Sequence, residues 1–404
     1  MKRRTFLLSS TAILYGCGGG SSSDGSAAAT ASGTTTGGTT GSPSPAPTPA
    51  PSPSPSPSPS PSPAPAPAPA PAGSCSQTSS STVWTSKGGG GEAFASSGAI
   101  GDYFLRMNNW NASNTVNAGS QTVTMWWNGP ACWGFNTTET QDSGQVGGYP
   151  AAIRGWTNDT GIMTKLGNGN GTSWTQASGM GIKVSALTKC HVGWDLTAPT
   201  VYGKARYDAL LDCYFHSIPN PSGSDTNLAF AVDIYQVTLD GGGNYYQNSV
   251  LGGGSFFLKT ISGVQYAGIY DDPAFNASDG ATSSCVLFCR PTSVTDSASN
   301  PNLWGKMSVV HDLGGIIAWL MEASPLDDSG KPIKHYATGV TVSSPPISSS
   351  IYLTSINAGY EVQFAGTSNP FTTTDFWVAM QNEADGQSIQ VAAGDLGLAC
   401  TRAA

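Results

Sequence analysis

Between Pro43 and Pro71 every second residue is proline, alternating with serine, alanine and one threonine, and 15 of the chain's 28 prolines fall there. Half the backbone donors are missing and nothing apolar is available to bury, so this stretch cannot enter a packed layer. The pattern predicts a polyproline II rod that holds its ends about 90 Å apart, at roughly 3.1 Å per residue. Rods of this kind separate a working domain from whatever the chain is attached to. What stands at each end therefore decides the reading.

The amino end, residues 1–17, is a basic start, Met1-Lys-Arg-Arg, then an apolar run through Leu14, then Gly16-Cys17. That describes an export signal too short to span a bilayer. Three forms are open. Arg3-Arg4-Thr5-Phe6-Leu7 resembles a twin-arginine signal, which exports a folded protein. Leu14-Tyr15-Gly16-Cys17 resembles a bacterial lipobox, in which Cys17 is lipidated and becomes the first mature residue. An ordinary cleaved secretory signal is the third. Residues 18–73 then form a flexible Gly/Ser/Thr extension and the rod. The expected location is extracellular or on the cell surface, and a lipid on Cys17 is the one membrane contact expected.

Residues 74–404 are enough for one large domain. Charged residues make up 10% of the chain and the net charge is −8, which argues against nucleic acid or acidic lipid as a partner. Eleven tryptophans among abundant Gly, Ser, Thr and Asn suit a neutral, hydroxyl-rich ligand such as a polysaccharide, or a Gly-rich extracellular β protein. With Cys17 set aside, seven cysteines remain. Cys213 is expected to be free because Leu211 and Phe215, on its strand face, are apolar. The other six allow three disulfides, with Cys75–Cys400 closing the domain's ends. Four scattered histidines and no CxxC pair point to no metal, and no cofactor is expected.

Period-2 alternation dominates the domain. Strands are predicted at Tyr103–Asn108, Thr122–Trp127, Gly181–Leu187, Lys204–His216, Leu228–Leu239, Gly254–Ile261, Val264–Tyr270, Cys285–Arg290, Ile351–Phe364 and Asp375–Gln381. Asp312–Ala323 carries Leu313, Ile316, Ile317 and Leu320 at helical spacing, with Pro325 just beyond. Many strands and one helix predict an all-β fold, a two-sheet antiparallel sandwich of jelly-roll type with a concave groove.

Two strands carry the chemistry. One face of Lys204–His216 presents Arg206, Asp208, Leu210, Asp212, Tyr214 and His216; the other is apolar. In the next strand, Asp233 and Tyr235 share a face. Burying two carboxylates in a core would cost several kcal/mol each, so the polar face belongs to a groove. If the two strands form a hairpin, Asp212 and Asp233 lie about 4.8 Å apart across it, close enough to couple. A third strand, Ile351–Phe364, offers Leu353, Ser355, Asn357, Gly359, Glu361 and Gln363 on its more polar face. Tyr149, Trp156, Trp110 and Trp133 are candidate walls for stacking sugar rings.

From about Tyr103 to Gln381 the chain resembles glycoside hydrolase family 12, the jelly-roll endoglucanases and xyloglucanases. Tyr103–Asn109 with Trp110 looks like the family's strand ending in Asn-Asn-x-Trp-Gly. Gly148-Tyr-Pro-Ala-Ala-Ile-Arg-Gly-Trp156 looks like its Tyr-Pro segment. Ala209-Leu-Leu-Asp-Cys-Tyr-Phe215 is similar to Tyr-Asp-Ile-Trp-Phe, which puts Asp212 on the family's supporting aspartate. Val232-Asp-Ile-Tyr, ahead of Gly242-Gly243, resembles Glu-Leu-Met-Ile-Trp-Leu and puts Asp233 on its nucleophilic glutamate. Tyr360-Glu-Val-Gln-Phe-Ala-Gly366 resembles the segment after its acid/base glutamate. Three departures stand beside these matches: Asn357 occupies the acid/base position, Asp233 is one methylene shorter than glutamate, and Trp110 is displaced by one residue.

Two carboxylates are the minimum for the usual route of glycoside hydrolysis. Asp233 is the first candidate for nucleophile or base, tuned by Asp212. Glu361 is the candidate proton donor, about 13 Å along the strand from Asn357. Asn357, Trp110, Tyr149, Trp156, Asp208, Tyr214 and Tyr235 are candidate substrate contacts. The implied protein is an exported, monomeric hydrolase of a β-glucan-like polysaccharide. Two rivals stay open: a carbohydrate-binding protein without turnover, and a polysaccharide lyase with Tyr214 or Tyr235 as base beside Arg206.

Overall fold

A computed structural model describes residues 75–87, 94–96, 103–106, 122–129, 132–137, 148–158, 178–197, 206–223, 227–240, 255–273, 276, 281–289, 306–364, 370–381 and 383. The export signal with Cys17, the rod, Trp110 and Cys400 lie outside the described residues.

Alternating segments pair into two sheets. The six-stranded sheet runs β1 (Thr82–Lys87), β4 (Thr122–Trp127), β5 (Trp133–Thr137), β16 (Phe371–Met380), β8 (Cys190–Thr197) and β14 (Lys306–Asp312). The ten-stranded sheet runs β11 (Phe257–Ile261), β12 (Val264–Tyr270), β13 (Ser284–Cys289), β10 (Leu228–Asp240), β9 (Arg206–His216), β15 (Tyr352–Phe364), β6 (Ala151–Gly155), β3 (Phe104–Arg106) and β2 (Phe94–Ser96). A short β7 (Ile182–Lys183) pairs with β15. The expected two-sheet sandwich is present, and among the described strands one pair departs from antiparallel pairing: β13 runs parallel to β10.

The alternation sorts each strand between two apolar layers. Trp133, Trp194, Tyr207, Phe215, Tyr360 and Phe371 are fully buried among the residues that fill the space between the sheets. Burial of each such ring contributes roughly 1.5–3 kcal/mol. Trp133 is thereby a core residue and not a groove wall. A second, smaller cluster, with Phe104, Ile153, Leu210, Tyr235, Val286 and Phe288, covers the other face of the ten-stranded sheet. Arg154 ties the layers together, donating to Ser178 O and Val378 O and pairing through both Nη atoms with Glu383.

Several expectations need correction. The strand predicted at Gly181–Leu187 is two residues of β7 followed by a 3-10 turn, Val184–Ala186, because Val184 turns its side chain into the core. The helix, α1 (Leu313–Leu320), is shorter than its periodic pattern. Asp312 caps it by accepting from Gly315 N at 2.7 Å. Cys75 pairs with Cys132, not with Cys400. Cys213 is free and buried as expected, but so are Cys190 and Cys285, so the six other cysteines do not make three bridges. Cys289 is disulfide-bonded.

Candidate active site

Register builds the site. Asp233 on β10 pairs with Asp212 on β9, and Asp212 pairs with Asn357 on β15. The same row continues through Val286 and Ile269 on one side and Ile153 and Phe104 on the other. Three adjacent polar side chains therefore sit between apolar members of the smaller cluster, Ile269 and Val286 on one side and Ile153 and Phe104 on the other. The next row is Tyr235, Leu210, Gly359 and Ala151, and beyond it Asp208 faces Glu361.

The faces of β9 and β10 divide as the alternation predicts. In β15 they do so only beyond a register shift between Leu353 and Ser355. That irregularity sends Leu353 into the inter-sheet core, away from the polar face on which alternation had placed it.

Burial makes these polar groups expensive to hold, and neighbouring hydroxyls answer the cost at Asp212 and Asn357. Asp233 is 3% exposed, Asn357 6% and Asp212 8%. The Tyr214 hydroxyl donates to Asp212 Oδ2 at 3.4 Å, and Ser355 Oγ donates to Asn357 Oδ1 at 2.7 Å. Tyr149 lays its ring over Gly359, where a Cβ would stand 2.5 Å from it. Its hydroxyl lies 3.2 Å from Leu210 O and 3.4 Å from Asn357 O, and also in hydrogen-bond reach of Asp212. The space beside Asn357 is therefore taken by Tyr149 and Ser355.

Both buried phenols are locked in the neutral form. Burial, and then the charge of Asp212, holds Tyr149 well above the usual tyrosine range. Burial raises Tyr235 likewise, followed by Glu361, Asp208, Asp233 and Asp212, so this ring lies among four carboxylates. A phenol so placed is a hydrogen-bond donor near neutral pH.

Trp156 is buried, edge-on to Tyr214 and His216, with Nε1 donating to Ser222 O at 2.6 Å. Tyr149 and Trp156 thus belong to the floor of this face, while Tyr214, Asp208 and Glu361 are half-buried. Glu361 stands two rows from Asn357. Two strand spacings across and four residues along put its Cα roughly 16 Å from that of Asp233. Tyr336, absent from the sequence candidates, also packs on this face. Its segment carries no alternation, so the sequence holds no sign of it beyond an aromatic beside His335.

No protein-family profile matches the chain, and no curated protein does. Among solved structures it is similar to a family 12 xyloglucanase from Bacillus licheniformis, at 15% identity over 74% of this chain and 100% of that one, with a TM-score of 0.48. It is also similar to a metagenome-derived glycoside hydrolase family 12 endoglucanase (17%, 74% and 98%, TM-score 0.46). An endoglucanase from Rhodothermus marinus compares in the same way (18%, 74% and 99%, TM-score 0.46). At these identities and TM-scores the fold and the chemistry are read from this chain's own strands and side chains.

Proposed function

We propose that this chain hydrolyses a β-linked polysaccharide of β-glucan type along the face that carries Asp233, Asp212 and Asn357. The observation that carries the proposal is the row itself: two directly paired, buried carboxylates and an amide, with hydroxyl donors on Asp212 and Asn357, bounded by apolar and aromatic side chains. Neutral sugars need such a surface, apolar for ring faces and with a few placed polar groups for hydroxyls. Asp233 is the nucleophile or base, Asp212 tunes it through like-charge proximity, and Glu361 is the proton donor. The long offset of Glu361 suits inversion, whose carboxyls stand roughly 6.5–9.5 Å apart, better than retention, at roughly 5–5.5 Å.

A product assay on β-glucans, mannans and xylans tests the proposal. New reducing ends that disappear in Asp233→Asn support it; unsaturated ends would mean a lyase. A second reading, binding without turnover, is favoured by the amide at 357, which cannot donate a proton as an acid does, and by the distance of Glu361 from Asp233. Retention of polysaccharide without products would establish that reading.

The protein is further proposed to be an exported monomer, tethered through lipid on Cys17 with the rod as spacer. Among the described residues no helix is long and apolar enough to cross a membrane. Cys17→Ala should move the protein from the membrane fraction to the soluble one. A wild-type protein already soluble in cells would rule the tether out.

A further inference from the structure

The smaller apolar cluster is almost entirely buried, and two half-buried aromatic side chains pack against it among the described residues, Tyr214 and Tyr336. Tyr214 reaches Asp212 directly. Tyr336 lies at the other end. Its backbone N–H donates to Tyr270 O at 2.8 Å, and Tyr270 follows Ile269, the end member of the Asp233 row. Two strand spacings, about 10 Å, separate β12 from β10 there.

The segment that holds Tyr336 is fixed from several directions. His335 N donates to Val340 O at 2.9 Å and Gly339 N to His335 O at 2.8 Å, with Gly339 at φ +68°. His335 Nδ1 lies 2.8 Å from Asp271 Oδ2. Asp271 itself sits at φ 54°, a left-handed conformation, and accepts from Asn276 Nδ2 at 2.7 Å and Ser283 Oγ at 3.1 Å. A backbone held in that region by three side-chain partners places its neighbours firmly. A ring so anchored offers an apolar face at little entropic cost.

We propose that Tyr336 is a sugar-binding residue, a platform on which a hexose ring of the polysaccharide stacks at the β12 end of the row. The inference rests on the reading of this face as a polysaccharide groove and adds where the chain extends beyond Asp233. Its test compares wild type, Tyr336→Ala, Tyr336→Phe and Tyr336→Trp on soluble mixed-linkage β-glucan and on an aryl β-glucoside, whose single sugar ring is too short to bridge that distance. Tyr336→Ala should raise KM for the long glucan about tenfold, or Kd if turnover is absent, with kcat within about twofold. The short glycoside should be unaffected, and the Phe and Trp variants should stay within about twofold of wild type.

Unchanged affinity of Tyr336→Ala for the long glucan overturns the inference and leaves the hydrolase reading standing. Equal losses on both substrates with a lowered melting temperature assign Tyr336 to packing and overturn it too. A wild-type protein that neither binds nor cleaves any glucan overturns both.

Discussion

Each sheet carries a pair of aspartates facing one another across antiparallel strands: Asp212 and Asp233 in the ten-stranded sheet, Asp195 and Asp375 in the six-stranded one. Burial does not fully tell them apart: Asp195 is as little exposed as Asp212, at 8%, while Asp375 is half-buried and Asp233 is 3% exposed. Their surroundings do. Asp212 has Tyr149, Tyr214 and Asn357 about it, and Asp233 lies near Tyr235, all on a face lined by apolar side chains. Asp195 has Ser308 beside it, and one rung on, Trp377 lies across Gly193. A carboxylate pair is therefore not a site in itself. On the proposed reading, apolar and aromatic flanks are what set the Asp212–Asp233 pair apart.

The sharpest way to break this contrast is to neutralise one member of each pair. Asp233→Asn keeps shape and removes charge, so turnover should fall at least about 100-fold while the melting temperature stays within a few degrees. Asp195→Asn, measured on the same glucan, should leave turnover within about twofold. Equal losses in both would make the two sheets equivalent in function and sink the distinction. Glu361→Gln comes next. Cleavage of glucan, a poor leaving group, should drop at least about tenfold, while an activated aryl glycoside should suffer much less. A uniform loss on both would remove Glu361 as the proton donor.

Glycines sharpen the comparison further. Gly359 lies under Tyr149 and Gly193 under Trp377, so each sheet uses a missing side chain to seat a ring. Tyr149 is buried and hydrogen-bonded and has nowhere to go, whereas Trp377 is half-buried and can swing outward. Gly359→Ala should therefore cost about 1–3 kcal/mol and reduce turnover. Gly193→Ala should cost less, by thermal melting, and leave turnover unchanged. The reverse order would mean that Trp377 is the more tightly held ring.

Much of this contrast is legible before any coordinates. Thr122–Trp127 and Val264–Tyr270 match their strands residue for residue, because alternation with no interruption has one register only. The facing of Asp212 and Asp233 follows from two clean alternations and their order in the chain. The Asp195–Asp375 pair is not legible in this way, because β8 reads as no strand: Gly193 interrupts it and its outward residues are mixed. Bulges hide a second class of fact, as at Leu353, where one extra residue flips the face. The Cys75–Cys132 bridge was also hidden, since only the pairing of β1 with β4 brings those segments together. Tyr336 depends on hydrogen bonds made by an irregular segment, which no periodicity announces.

The smallest effect concerns the outer pair alone and is read in stability. Burial, and then the charge of Asp195, push Asp375 up to about 7, against an ordinary aspartate near 3.9. A carboxyl whose folded value is raised favours the protonated form. Its contribution to stability is full below about pH 4 and is lost as pH rises toward 7. Asp375→Asn removes that loss, so the variant should melt about 2–4 °C above wild type at pH 8 and level with it at pH 4. The shift alone would correspond to more, but the group keeps some contact with water, and screening reduces the effect to about 1 kcal/mol. Asp195 is raised as well, by burial, so Asp195→Asn should move the melting curve in the same direction. Parallel melting-temperature curves for Asp375→Asn and wild type across pH 4–8 would show that Asp375 is not raised.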